Sequence, residues 1–219
     1  SFAAYVKGER SILDPEYVNY LNRKMRSGIT TVNKTTKTEP VMSFNAVLET
    51  NVVRVLREEY GQWVEMLTGK ELHAIRKYTK NTFDDTKPKF FERLNAMLRG
   101  DIPEDSALRE YAETISGALK KKPLENDIIC YRNVSTDPFA AIPVGKTGPG
   151  KQFFSTSVIG TRTMKGEYRL TIIARKGTPG AYIEGISRFP KQREFLIDKD
   201  CAYRVLSRQG KDILVEVVL

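Results

Sequence analysis

The sequence predicts an α+β protein, helices first and strands later. Two observations carry this. Apolar residues recur at helical spacing up to about residue 122, and in short strand-like runs after it. Proline and glycine clusters separate those later runs, as turns separate strands. Helices and strands kept apart along the chain are the pattern of an α+β fold rather than an alternating α/β one. The 219 residues suit one large domain, or one domain with a helical extension.

The helices follow in order. Asp14-Pro15 is a start signal, an N-cap followed by proline in the first turn. Tyr17, Val18, Leu21 and Met25 then share one face, and Gly28 ends the run. The Thr/Lys-rich stretch 29–42 reads as a mobile connection. From Ser43 a long periodic run passes through Val47, Leu48, Val52, Leu56 and Tyr60 to Trp63 and Leu67, with Gly61 as a candidate break. Thr68-Gly69-Lys70-Glu71 is a capping box that opens a helix through Tyr78. Residues 80–87 are polar. Pro88 begins a helix carrying Phe90, Phe91, Leu94, Met97 and Leu98, stopped by Gly100. Ser106 begins the last, with Leu108, Tyr111, Ile115 and Leu119 on one side.

After Lys122 strands are expected at 127–132, 153–157, 168–174, 181–184, 194–197, 203–207 and 213–219, with 133–150 as loop. There is no internal repeat.

Lys and Arg number 36 against 27 acidic residues, a formal charge of +9. A basic surface suits phosphate-bearing ligands, nucleic acid, anionic membrane or an acidic protein, without choosing among them. Cys130 and Cys201 sit in apolar runs and read as small core residues rather than a disulfide. His73 is the lone histidine, read as a packing residue, so a zinc site or a histidine-based triad is not expected. No apolar run approaches the ~18 residues of a membrane span. The chain opens on Ser1 without a secretory signal pattern, as a processed form or an excised piece would.

The chemistry concentrates in Gly185 to Ile197. A Ser-Arg-Phe-Pro-Lys loop runs into Gln192-Arg193-Glu194 and then the apolar Phe195-Leu196-Ile197. Residues two apart on a strand share a face, so Gln192 and Glu194 should project side by side at the mouth of that strand. Three other features join it. Asn95 and Arg99 are four apart on a helix, an amide and a fork suited to phosphate and nearby polar groups. Arg132 ends a strand in Tyr131-Arg132-Asn133. Phe153-Phe154-Ser155-Thr156-Ser157 places hydroxyls at alternate positions, and Ser155 could fix a carboxylate rotamer.

In order, the set is Arg on a strand, then Ser-Thr-Ser, then Gln-x-Glu. It resembles the Arg-Ser-Glu class of mono-ADP-ribosyltransferase toxins, and within it the clostridial-type exoenzymes that inactivate Rho GTPases. Those carry an aromatic three residues before the Gln, where Phe189 stands. Similar too are Lys176-Gly177, Gly180-Ala181-Tyr182-Ile183-Glu184, Ile186-Ser187, Leu94-Asn95-x-x-Leu98-Arg99, and Ala74-Ile75 leading to Tyr78-Thr79-Lys80. The resemblance covers roughly residues 60–219, and implies a helical N-terminal extension (1–60) before an ADP-ribosyltransferase catalytic domain (61–219).

It further implies a core of two packed, mixed sheets with NAD as co-substrate and no metal. Arg132, Asn95, Arg99 and Thr79 would hold NAD. Ser155 would orient Glu194, which would bond the nicotinamide-ribose 2′-OH and stabilise the oxocarbenium ion. Gln192 would grip the acceptor, and Phe189 would dock on the target. That target would be a host protein, a Rho-family GTPase modified on Asn, with NAD glycohydrolysis as a side activity. A secreted bacterial toxin acting in the host cytosol, with an upstream or separate delivery component, is the implied setting. Competing readings are a different target such as actin, a family member that only hydrolyses NAD or binds its target, and a non-enzymatic basic module binding nucleic acid or lipid. Residues 1–60 would be a membrane or translocation helix, a stabilising arm, or the tail of another domain. Val158 to Tyr168 does not align with the family, so Arg162, Lys165 or neither meets the phosphates.

Overall fold

The computed structural model describes residues 49–80, 88–160, 163 and 165–219. Among them are four helices, α1 (Glu49–Glu65), α2 (Gly69–Tyr78), α3 (Phe90–Arg99) and α4 (Ser106–Lys120). Eight strands follow: β1 (Ile128–Val134), β2 (Thr147–Pro149), β3 (Phe154–Ser157), β4 (Tyr168–Ala174), β5 (Gly180–Tyr182), β6 (Glu194–Ile197), β7 (Ala202–Gln209) and β8 (Asp212–Val218). The expected α+β order holds. The expected helix from Asp14, the connection 29–42 and the start at Ser43 lie outside the described residues.

The helix ends are where sequence chemistry puts them. Thr68 caps α2 through the Glu71 backbone N–H while Glu71 reaches back to Thr68, the reciprocal box. Gly100 terminates α3 with φ 84, a left-handed C′ position. Gly61 does not break α1. Its cost of about 1 kcal/mol in a helix interior is outweighed by Val52, Leu56, Tyr60 and Trp63, all buried on one face. Each large side chain so buried contributes about 1.5–3 kcal/mol. Trp63 also donates its indole N–H to the Ala118 carbonyl (2.9 Å), fastening α1 to α4. The expected division at residue 60 falls inside α1, and residues on both sides of it join one core. His73, expected to pack, is exposed. Cys130 and Cys201 are buried and free, and burial pushes both thiols up to about 12.

The strands form one hydrogen-bonded sheet in the order β2-β7-β8-β4-β1-β3-β6-β5. It is mixed, since β4 and β8 run parallel while the other neighbours are antiparallel. The join between β1 and β3 is a single pair, Tyr131 with Ser157. In a flat sheet β3 would lie four strands from β7, ~19 Å away at about 4.8 Å per step. Yet the Phe154 and Tyr203 rings of those strands have centroids 5.4 Å apart, and Phe139 touches both. The sheet therefore folds over at the β1–β3 join, and two layers pack face to face around these rings. Two sheets were expected, and the strands join in one hydrogen-bonded sheet.

β2 was not legible. It lies in the stretch expected to be loop and pairs with the edge of β7 through backbone alone, with Pro149 tolerated because it is on the rim of the sheet.

Candidate active site

The fold-over creates a cleft. β1 and β3 pair only at Tyr131–Ser157 and then part. Tyr131, Arg132 and Asn133 line one side of the gap, and Ser155, Thr156 and Ser157 the other. Glu194 and Gln192 close one end, Tyr78, Thr79 and Phe91 another, and Phe189 stands at the rim.

Glu194 opens β6, opposite Ser157 in the β3–β6 register, while Ser155 is opposite Leu196. Ser155 and Glu194 are thus diagonal neighbours on one face, close enough for side chains to meet. The Ser155 hydroxyl donates to Glu194 Oε1. The residue is 5% exposed. Burial raises its pKa, and the Ser155 hydrogen bond and the Arg132 charge pull against that rise.

Arg132 bridges the gap. Its Nη1 donates to the Ser155 carbonyl at 2.8 Å, and its guanidinium lies 5.2 Å from the centre of the Phe154 ring. Had the β1–β3 ladder continued, Asn133 would face Ser155. The arginine side chain fastens the two strands there instead. Burial lowers the pKa of Arg132, with Tyr78 and Glu194 opposing that fall, and an arginine remains charged through any such shift.

Gln192 reaches the cleft by a route the strand rule does not describe. Pro190–Gln192 is a 3-10 turn, and Arg193 follows at φ 50, ψ 49 in the left-handed region. A non-glycine residue there is strained by roughly 1 kcal/mol or more. The kink, not period-two alternation, brings Gln192 and Glu194 to the same cleft. Arg193 is held by an ion pair with Glu184, and Arg57 of α1 grips the same carboxylate with two bonds of 2.8 and 2.9 Å. Helix α1 thereby braces the turn before Glu194.

Two residues expected at the co-substrate do not line the cleft itself. Asn95 is buried behind the cleft, where its amide donates to the Tyr78 hydroxyl (3.0 Å) and accepts from the Phe153 N–H (3.2 Å). Those bonds anchor the start of β3 to α2 and α3. Arg99 lies outside the cleft lining, with its guanidinium on Asp101 (2.8 Å) and Gln152. Thr79, Arg132, Ser155, Gln192, Glu194 and Phe189 are brought together. Tyr78, Phe91, Asn133 and Thr163 line the cleft too, and the sequence assigns none of them a site role. Asn133 donates to Thr163 (3.1 Å), while its side-chain carbonyl oxygen is buried in the cleft wall with no hydrogen-bond partner among the described residues. Of the two basic residues left undecided, Arg162 is outside the described residues and Lys165 is exposed.

A fixed buried carboxylate can stabilise positive charge developing on a sugar carbon. A guanidinium beside it can hold phosphate, and an orphaned amide oxygen can accept from a carboxamide or a hydroxyl. These donors and acceptors fit NAD. One consequence is testable by pH. Ser155 bonds the charged form of Glu194, so Ser155→Ala should raise the carboxyl pKa further. The acid limb of kcat/KM for NAD cleavage should then move to higher pH, with the plateau lowered. A pH profile of the variant superimposing on wild type would remove Ser155 from this role.

A family model described as ADP-ribosyltransferase exoenzyme matches residues 56–216. Among curated proteins, an NAD(+)–arginine ADP-ribosyltransferase from Enterococcus faecalis is 29% identical over 162 residues, covering 68% of this chain and 31% of that protein. The chain therefore spans under a third of that relative's length. Among solved structures, Plx2a, an ADP-ribosyltransferase toxin from Paenibacillus larvae, has a TM-score of 0.64 at 19% identity, covering 78% of this chain and 96% of its own. The Clostridium limosum C3 exoenzyme has a TM-score of 0.63 at 19%, covering 81% and 98%. The ADP-ribosylating toxin BECa of C. perfringens, solved with NADH, has a TM-score of 0.63 at 24%, covering 77% and 48%. The family match takes in α1 from Leu56, the brace at Arg57 and the whole of the cleft, and the chain belongs to the ADP-ribosyltransferase exoenzyme family.

Proposed function

We propose that this chain is the catalytic domain of a mono-ADP-ribosyltransferase toxin, transferring ADP-ribose from NAD to a side chain of a host protein. The carrying observation is Glu194, buried at the fork of the sheet and held by Ser155 beside Arg132. Arg132 holds the phosphates, with Thr79 lining the same cleft. Glu194 accepts from the nicotinamide-ribose 2′-OH. As the bond from C1′ to the nicotinamide nitrogen breaks, the electron pair leaves with nicotinamide, and Glu194 stabilises the positive charge left on the ribose. The acceptor nitrogen then attacks C1′ and loses a proton. When water attacks instead, the result is NAD glycohydrolysis.

Gln192 sits where it meets the acceptor, and it is neutral. A carboxamide can donate to and accept from another carboxamide at once. An asparagine acceptor on a Rho-type GTPase is therefore the reading we adopt. The arginine acceptor named for the Enterococcus relative is the second reading. It would place a guanidinium against Gln192 without the carboxylate partner that guanidinium groups favour. Phe189, 36% exposed at the rim, supplies an aromatic contact for the target. The setting that goes with this is a secreted bacterial protein brought into the host cytosol by a further domain or separate component.

The test is transfer of labelled ADP-ribose to lysate proteins, with NAD hydrolysis measured beside it. Wild type should do both, and the modified residue should be identified as Asn in a small GTPase. Gln192→Ala and Phe189→Ala should keep most hydrolysis and lose at least about tenfold in protein labelling, since interface anchors commonly cost more than ~1 kcal/mol on truncation. Parallel loss of both activities would defeat this division of labour. Labelling on Arg would replace the asparagine reading.

A further inference from the structure

We infer that a basic recess beside the cleft is a docking site for a carboxylate-rich segment of the acceptor protein. The inference rests on the transferase reading above and extends it to what the acceptor must carry. The recess is lined by His73, Arg76, Lys77, Lys80, Phe90 and Arg188. Four of those six are Lys or Arg, and none is acidic. Lys77 is held by the Tyr111 hydroxyl (3.1 Å) and lies 4.7 Å and 4.3 Å from the centres of the Phe90 and Tyr111 rings. Arg76, Lys80 and Arg188 form no ion pair with the described carboxylates. They concentrate positive charge in a concave place, where low-dielectric walls focus the field.

Position identifies the occupant. Adjacent residues of the chain line the cleft and the recess. Thr79 lines the cleft and Lys80 the recess, Phe91 the cleft and Phe90 the recess, Phe189 the cleft and Arg188 the recess. Anything seated in the recess lies against the rim that the acceptor side chain must cross. A bilayer is flat and cannot enter a recess, and the lining offers no exposed apolar residue to insert. A protruding loop bearing Asp or Glu can enter, and it would meet Arg76, Lys80 and Arg188 at the same time. Two-point contact, at Phe189 and in the recess, would orient the acceptor over Glu194. Charge of this kind chiefly raises the association rate and selects among partners.

The test separates binding from chemistry. A fluorescent Glu-rich peptide is titrated into wild type, Arg76→Glu/Lys80→Glu and Arg188→Glu by anisotropy, at low and at physiological salt. Phosphatidylserine vesicles serve as the parallel probe. NAD hydrolysis and labelling of lysate proteins are measured on the same preparations. The expected result is salt-sensitive peptide binding, weakened about tenfold or more by either variant, since like charges set against each other at an interface are costly. Labelling should fall in step, with KM for NAD and the hydrolysis rate unchanged. Arg188→Glu lies on a loop rather than on α2, so it remains informative if the helix variant folds poorly. Equal peptide binding and labelling by wild type and both variants would overturn the inference. So would vesicle binding that the variants abolish while the peptide is ignored. Absence of NAD hydrolysis in wild type would instead count against the transferase reading, and the peptide titration stands apart from it.

Discussion

Glu194→Gln is expected to lower NAD cleavage and protein labelling together by about 10²–10³, the usual cost of removing one preorganised electrostatic stabiliser, while the fold becomes no less stable. The glutamine keeps an acceptor oxygen for Ser155 but has no charge to set against the ribose cation. The stability half follows from the carboxyl pKa. Burial raises it in the folded protein above its ordinary value of about 4.3. Above that unfolded value the folded state holds a charge that its surroundings disfavour, so the ionised Glu194 costs stability. The cost is absent below the unfolded pKa and fully present once pH exceeds the folded one. Melting temperatures of variant and wild type should therefore agree near pH 4 and separate in favour of the variant as pH rises. Near-normal turnover by the folded variant, or a variant that melts lower at neutral pH, would refute the assignment. The pair of outcomes also distinguishes an active-site carboxylate, kept at a cost to stability, from one kept for structure.

How much of this was legible depended on the kind of signal. Helices α2 and α3 could be read because their ends are chemical, a capping box at Thr68 and a left-handed glycine at Gly100. β6 could be read because Phe195, Leu196 and Ile197 are all buried and uninterrupted. β2 could not, since its three residues have no apolar pattern and join the sheet only through the backbone of β7. The site shows the same division. The Ser155–Glu194 pair was expected from motif order, and the diagonal register makes it. Gln192 was expected to share a strand face with Glu194. It does not lie on the strand, because Arg193 turns the chain at positive φ just before β6 begins.

Asn95 and Arg99 illustrate a further limit. Residues four apart on a helix are neighbours, but periodicity does not say where the buried sector ends. On α3 that boundary passes between them. Asn95 faces inward and fastens Phe153, and Arg99 stays at the surface. The fold-over of the sheet was also invisible to local pattern. It requires that one ladder stop after a single pair and that Phe139, Phe154 and Tyr203 meet from segments far apart in sequence. Asn133 opens to the cleft where that ladder stops, while Tyr78 reaches it from the end of α2.

Arg132→Ala is expected to weaken NAD binding by about 10- to 150-fold, and Arg132→Lys by less but still measurably. The range corresponds to the ~1.5–3 kcal/mol of hydrogen bonding to a charged group. The guanidinium has five donors, and one is directed at the Ser155 carbonyl across the gap between β1 and β3. The residue also lines the cleft. Lysine restores the charge but not the planar fork that binds phosphate through two parallel bonds, so it should recover part of the affinity. There is a second consequence. Arg132 holds down the pKa of Glu194 against burial. Its removal should push the acid limb of NAD cleavage to higher pH, and lysine should largely restore that limb. Affinity and pH profile thus respond to different properties of one side chain, geometry for the first and charge for the second. Calorimetric titration with NAD, well above the acid limb, measures the first without interference from the second. Equal dissociation constants for wild type and Arg132→Ala would remove this residue from the phosphate site. A lysine variant that matched wild type in affinity would show that charge alone, not the fork, is what NAD requires of position 132.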